Sequence, residues 1–232
     1  MIYEHDFEIG LENLTVNKEV TNKFLLQCLE NISAKYSEEI NNGISEVIND
    51  ISWILVEWKL SVINKPEYLD TVNVKCWARN DKNVYIDYEM CIKNRVFAKA
   101  TAKFVLVNKK DMSTIKVTDD IVSKYKPINN KRVFDSELER LYVKENYDKT
   151  IDFHIRKSDI DINNHMHNLN YLDAIKEIID IDKELNNLII VYKKQIKYGE
   201  NISISMLKEN DKYAFKMFNK DNGEIKTIIE MN

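Results

Sequence analysis

The chain opens on alternation and then changes period. Ile2 to Ile9 alternates apolar and polar side chains, which predicts a strand. From about Asn17 to Tyr36, Phe24, Cys28 and Ile32 recur every four residues. Leu25 and Leu29 thicken the same stripe, the spacing of an amphipathic helix. A polar stretch with Gly43 follows, and then four predicted strands: Ser52 to Ile63, Thr71 to Ala78, Val84 to Ile92 and Arg95 to Val107. Turns are expected at Pro66-Glu67-Tyr68-Leu69-Asp70 and at Arg79-Asn80-Asp81-Lys82.

The same order returns. Thr150 to Arg156 reads as a strand, a polar Asp/Asn/His segment follows, and a helix is predicted from about Asn168 to Ile179 with Leu172, Ile175 and Ile179 on one face. Four further strands are expected at Asn187 to Ile196, Ile202 to Leu207, Tyr213 to Phe218 and Glu224 to Met231, with a turn at Tyr198-Gly199-Glu200-Asn201. A helix followed by hairpin strands implies an antiparallel α+β layer with the helix on the sheet. That arrangement is the hotdog fold, and two copies make a tandem (double) hotdog, each half an antiparallel sheet wrapped on a long central helix. The expected boundaries are 1–125 for the first copy, 126–148 for a polar linker holding Pro127, and 149–232 for the second. The plainer alternative is a generic α+β domain whose halves coincide by chance.

Composition narrows the classes. The 232 residues suffice for one large or two small domains. With 44% hydrophobic and 31% charged residues, the balance is soluble and globular. A net charge of −4 gives no basic field aimed at nucleic acid. No apolar run reaches the roughly eighteen residues of a membrane span, and the acidic N-terminus reads as a strand, not a targeting peptide. Cys28, Cys76 and Cys91 form an odd set without Cys-x-x-Cys spacing, which suits a reducing cytoplasm and argues against disulfides or structural zinc.

The two copies differ between opening strand and helix. The first has Gly10-Leu-Glu-Asn-Leu-Thr-Val; the second has Asp159, Asp161, Asn163, Asn164, His165, His167 and Asn168. Free N–H groups where a loop enters a helix can stabilise an oxyanion, and Asp and His can orient groups and move protons. Hydrolysis of an acyl thioester needs both.

At these residues the sequence resembles the plant and bacterial acyl-ACP thioesterases. Asp161-Ile-Asn163-Asn-His165, with Asn168 and Tyr171, is similar to their Asp-x-Asn-x-His-Val-Asn-Asn-x-x-Tyr segment. Tyr192-Lys-Lys-Gln-Ile-Lys-Tyr-Gly-Glu200 resembles their Tyr-x-x-Glu-x-x-Tyr-Gly-Asp stretch. Trp53 to Asp70 and Ala102 to Val107 extend the likeness into the first copy. The resemblance implies hydrolysis of fatty acyl-ACP to free acid and holo-ACP, with acyl carrier protein as partner and no cofactor. It implies that Asp161 orients its neighbours, Asn163 positions carbonyl or water, His165 is hydrogen-bond partner or base, and the N–H groups around His167 and Asn168 form the oxyanion site. Two hotdogs in one chain already make the pair that single-hotdog enzymes reach by dimerising, so a monomer or a homodimer is expected.

The sequence departs from the family at Gln195, where the family has an acid. An amide can hold a water but cannot take its proton. Glu200 is a candidate substitute, though its place in the turn favours a turn role. His167 stands where Asn is usual, and Ile196 where plant members carry Cys, so direct attack by water is favoured over a covalent route.

Plainer readings remain beside these. The Asp/Asn/His loop could simply cap a helix, with Asn168 as N-cap. His165 and His167 with Asp159 and Asp161 could bind a metal, but no third His is near, and none is expected. Lys193, Lys194 and Lys197 could meet an acidic carrier or form a solvated edge. The competing functions are an acyl-CoA thioesterase, a catalytically weakened acyl-binding protein and, more distantly, a hotdog dehydratase.

Overall fold

The computed structural model describes residues 1–40, 51–81, 83–136, 138–179 and 184–232. The expected features around Gly43 and at Lys82 lie outside them. The chain divides into two compact units, Met1–Glu137 and Leu138–Asn232.

The first unit contains β1 (Tyr3–Glu8), α1 (Asn22–Glu39), β2 (Ile51–Val62), β3 (Thr71–Asp81), β4 (Asn83–Ile92), β5 (Arg95–Asn108), a short β6 (Thr114–Ile115) and α2 (Asp119–Lys124). Its antiparallel sheet runs β1-β3-β4-β5-β2, with β6 on β5. The second unit contains β7 (Lys149–Phe153), α3 (Asn170–Lys176), β8 (Asn187–Tyr192), β9 (Ile202–Glu209), β10 (Lys212–Asn219) and β11 (Ile225–Met231). Its sheet runs β7-β9-β10-β11-β8, all antiparallel. Counted within each unit, the strand order is the same: first, third, fourth, fifth, second. The predicted repeat is therefore present in the topology, and the fold is the tandem hotdog.

In the first unit α1 supplies the core. Leu25, Leu26, Leu29, Ile32 and Tyr36 are fully buried, as are Val72, Val74 and Cys76 of β3 and Tyr88 and Met90 of β4. Ala98, Ala100 and Ala102 on β5 are also fully buried. Each large aliphatic side chain buried here contributes about 1.5–3 kcal/mol relative to exposure. Polar contacts fix the helix: Ser33 Oγ lies 2.6 Å from Tyr88 Oη, and Tyr36 Oη donates to the Tyr125 carbonyl.

Four expectations need adjustment. The first helix starts at Asn22, not Asn17, because Thr15–Glu19 is a turn with Lys18 at φ 64°, and Thr21 caps the helix by accepting the Phe24 N–H. The second helix is seven residues, shorter than the expected Asn168 to Ile179 and not a long central helix. It closes on a tighter turn where the Glu177 N–H bonds the Ala174 carbonyl, and beyond it the Ile178 and Ile179 N–H groups share the Ile175 carbonyl. The strand from Asn187 ends at Tyr192, leaving Gln195 in irregular backbone. The predicted polar linker, 126–148, follows α2 directly and is held at its start: Ile128 N–H bonds the Ala78 carbonyl while Trp77 Nε1 donates to the Lys131 carbonyl. Residues 128–131 are thus fastened to β3.

Candidate active site

The polar loop of the second unit is built by its own side chains. Asp159 is 1% exposed and accepts the Arg156 N–H at 2.8 Å and its guanidinium at 2.7 Å, closing a 3-10 turn over Lys157–Asp159. The Asp161 N–H then bonds the His165 carbonyl, and the Asn164 N–H the Asp161 carbonyl, with Asn164 at φ 61°. Asn is among the residues that tolerate that left-handed geometry. Inside the turn, Asp161 Oδ1 accepts the N–H groups of Asn163 at 2.8 Å and His165 at 3.2 Å. Asp161 therefore fixes the main chain on both sides of Asn164.

The first unit repeats this scaffold with other chemistry. Asn13 Oδ1 accepts the Gly10 N–H, Thr15 N–H bonds the Glu19 carbonyl, Lys18 N–H bonds the Thr15 carbonyl, and Thr15 Oγ1 accepts the Glu19 N–H. Leu14 bridges Val20 as Ile160 bridges Met166. Thr15, Asn17 and Glu19 thus occupy the places of Asp161, Asn163 and His165. The loop fold is duplicated, but the Asp/His chemistry is not.

A second segment borders the loop. The Met166 N–H donates to the Ile196 carbonyl at 2.8 Å, and His165 bridges Lys197 in antiparallel register. This brings the Gln195–Glu200 main chain beside His165 and His167. Gln195, Lys193, Lys194 and Lys197 are exposed, as is Asn163; Asp161, His165, His167 and Asn168 are half-buried. Tyr192 Oη donates to the Asn168 carbonyl at 2.9 Å and packs edge-on to Tyr171, tying β8 to the entry of α3.

The electrostatics separate the roles. Burial pushes the His165 pKa below that of an ordinary histidine. The Lys197 charge acts in the same direction, and the Asp161 and Glu200 carboxylates oppose it. The imidazole is thereby biased toward its neutral, proton-accepting form at neutral pH. Glu200 is a turn residue. It accepts the Lys197 N–H at 2.8 Å, Asn219 Nδ2 at 3.0 Å and Lys226 Nζ at 2.6 Å. Partial burial works against its ionisation, but those hydrogen bonds prevail and hold its pKa below the usual value. A carboxylate so engaged is a poor substitute for the missing base at Gln195.

Two expectations about the helix entry change. The His167 N–H, expected at the oxyanion site, donates to the Asp159 carbonyl at 2.8 Å, whereas the Asn168 N–H makes no hydrogen bond among the described residues. Leu169, not Asn168, is the N-cap, and no side chain caps the helix there. His167 Nδ1 instead accepts the Leu169 N–H at 3.3 Å. Asp159 and His167 thus already have protein partners, and among the described residues no three His, Cys, Asp or Glu side chains converge as a metal site. All three cysteines are buried, and burial raises the thiols of Cys28 and Cys76 to about 12. None is poised as a thiolate nucleophile.

Sequence reasoning missed Lys226. It is 4% exposed, and its Nζ reaches Glu200, Glu224 and the Gln195 carbonyl. The available signal was a lysine inside the β-branched run Ile225 to Ile229, where a fully inward charge must find partners.

Comparison with known proteins matches both halves of the chain to one family. The acyl-ACP thioesterase N-terminal domain matches residues 1–125, and the acyl-ACP thioesterase C-terminal domain matches residues 142–232. The chain is 19% identical over 228 residues to an oleoyl-acyl carrier protein thioesterase of Coriandrum sativum, covering 85% of this chain and 60% of the relative. It is 26% identical over 141 residues to a dodecanoyl-[acyl-carrier-protein] hydrolase of Umbellularia californica, covering 56% of this chain and 36% of the relative. The chain thus spans about three-fifths of the length of the first of these relatives. Among solved structures, the 12:0-ACP thioesterase from Umbellularia californica superposes with a TM-score of 0.86 at 15% identity, covering 100% of this chain and 96% of that one. An acyl-ACP thioesterase from Bacteroides thetaiotaomicron gives 0.86 at 17% identity, covering 99% and 96%. Both domain matches, in order along one chain and on the tandem hotdog, assign it: the chain belongs to the acyl-ACP thioesterase family.

Proposed function

We propose that the chain hydrolyses fatty acyl-ACP to free fatty acid and holo-ACP by direct attack of water. The observation that carries this reading is a half-buried His165 biased toward neutrality, in a loop locked by Asp161 and bridged to the 195–197 segment. Water oxygen adds to the thioester carbonyl carbon while His165 takes its proton. The carbonyl oxygen becomes an oxyanion beside the Asn168 N–H. Collapse breaks the carbon–sulfur bond, and the thiolate leaves with the proton held on His165. Asn163 and Gln195 hold water or carbonyl, and Asp161 orients the loop. Lys193, Lys194 and Lys197 are exposed beside the site and suit an acidic carrier. The reading includes a cytoplasmic monomer or homodimer, with residues 126–148 joining the copies. Among the described residues no helix is long and apolar enough to cross a membrane.

Thiol release measured across an acyl-ACP series, with acyl-CoA at matched chain length, tests it. Turnover of acyl-ACP that is lost in His165→Ala is expected. No release at any chain length would overturn the thioesterase reading, and a strong preference for CoA would overturn the carrier assignment. Gln195 favours a second reading, an acyl-binding protein with weakened catalysis; it predicts fatty acyl ligand retained through purification and no turnover.

A further inference from the structure

Lysine carries three donors on one tetrahedral nitrogen. In Lys226 all three have acceptors: Glu200 Oε2 at 2.6 Å, Glu224 Oε2 at 2.9 Å and the Gln195 carbonyl at 3.2 Å. The Lys226 carbonyl in turn accepts the N–H groups of Lys193 at 2.8 Å and Lys194 at 3.1 Å. One residue of β11 therefore holds the 193–195 main chain from both its backbone and its side chain. Through Glu200, which accepts the Lys197 N–H, the same ammonium reaches residue 197. The two attachments bracket Ile196, whose carbonyl accepts the Met166 N–H between His165 and His167.

A buried charge needs partners, but two carboxylates alone would satisfy that need. The third donor points at a main-chain carbonyl, and that carbonyl belongs to Gln195. We propose that Lys226 is a positioning residue: it clamps the main chain of residues 195–197 so that the Gln195 side chain meets the His165 loop in working register. The inference rests on the thioesterase reading for its kinetic consequence, but the clamp itself is independent of it.

Lys226→Met keeps the aliphatic stem and removes the ammonium. Kinetics on acyl-ACP should show kcat lower by about ten- to a hundredfold, the scale of a small misplacement of reacting groups, with KM within about twofold. In a Gln195→Ala background the same substitution should add little, because both changes remove one function. Losses that multiply, or a kcat unchanged in folded Lys226→Met, would overturn the proposal. Hydrogen exchange in a peptide covering residues 192–201 should speed up in Lys226→Met, while one covering β9 and β10 holds its rate; uniform exchange across both would overturn the clamp. If Lys226→Met does not fold, the double variant Lys226→Met/Glu200→Gln removes the stranded carboxylate and is measured in its place. If wild-type protein turns over no thioester, the thioesterase reading fails, and hydrogen exchange alone decides the clamp.

Discussion

Met166 and Ile196 are joined by one main-chain hydrogen bond of 2.8 Å, and on it depends the register between the two segments that form the candidate site. Residues flanking Met166 carry the imidazoles, and residues flanking Ile196 carry the amide of Gln195 and the charge of Lys197. Side chains on the two segments can act on one substrate only while that register holds.

His165 is expected to dominate the chemistry. General-base catalysis contributes on the order of 10²–10⁴-fold, so His165→Ala should lower kcat by about a hundredfold or more. Because His165 is half-buried in a loop held by other groups, its melting temperature should stay within a few degrees of wild type. Thiol release and thermal unfolding on the same preparation check both.

The acid limb of the rate profile follows from the same residue. Its pKa is depressed, so the neutral base persists below the pH at which an ordinary histidine is half-protonated, and activity falls only as pH drops below about 6.5. Removing the Asp161 carboxylate, which opposes the depression, should move the limb further down. A kcat/KM profile of wild type and Asp161→Asn reads this. A wild-type limb above 6.5, or an unmoved limb in the variant, would refute the assignment.

Asp161→Asn and Asp161→Ala should behave differently. The asparagine retains an oxygen for the N–H groups of Asn163 and His165, whereas alanine leaves them without that acceptor, at a cost of about 1–3 kcal/mol. Thr15 performs part of this task in the first unit with a hydroxyl, so Asp161→Thr should lie between the two. Activity and unfolding midpoints for the three variants order them.

Gln195→Glu should raise kcat, by roughly tenfold or more, if the missing acid limits turnover. Gln195 is exposed, so a carboxylate there incurs little desolvation. An unchanged rate would mean that His165 alone supplies the base.

Glu200 makes a separate claim on stability. Its folded pKa is depressed below 4.5, so the unfolded chain binds the proton more tightly. The stabilisation is present above pH 4.5 and disappears as pH falls through the folded value. Denaturant midpoints measured from pH 6 to 3 should fall less steeply in Glu200→Gln than in wild type.

Much of this is legible in the sequence. The strand order repeats because alternation and helical spacing repeat, and Val72, Val74 and Cys76 announced their buried face by period alone. The loop was conspicuous because Asp, Asn and His crowd into a few residues. What periodicity could not reveal was main-chain accounting. Nothing in the sequence says that the His167 N–H goes to Asp159 while that of Asn168 does not, since hydrogen bonds across a loop depend on its folded path. The start of α1 escapes the pattern for a related reason: Lys18 adopts a left-handed conformation that lysine does not advertise. Lys226 escaped because strand patterns count a lysine as outward-facing until its partners from distant segments are known.

The cysteines carry a consequence beyond catalysis. All three thiols are buried, and burial holds each in its protonated state. A protein whose proposed product is a free thiol on another molecule thus keeps its own sulfur out of mixed-disulfide exchange. Electrophiles and mild oxidants that would silence a cysteine hydrolase should leave the folded chain intact, and a colorimetric disulfide reagent would register the thiol released without a contribution from the native protein.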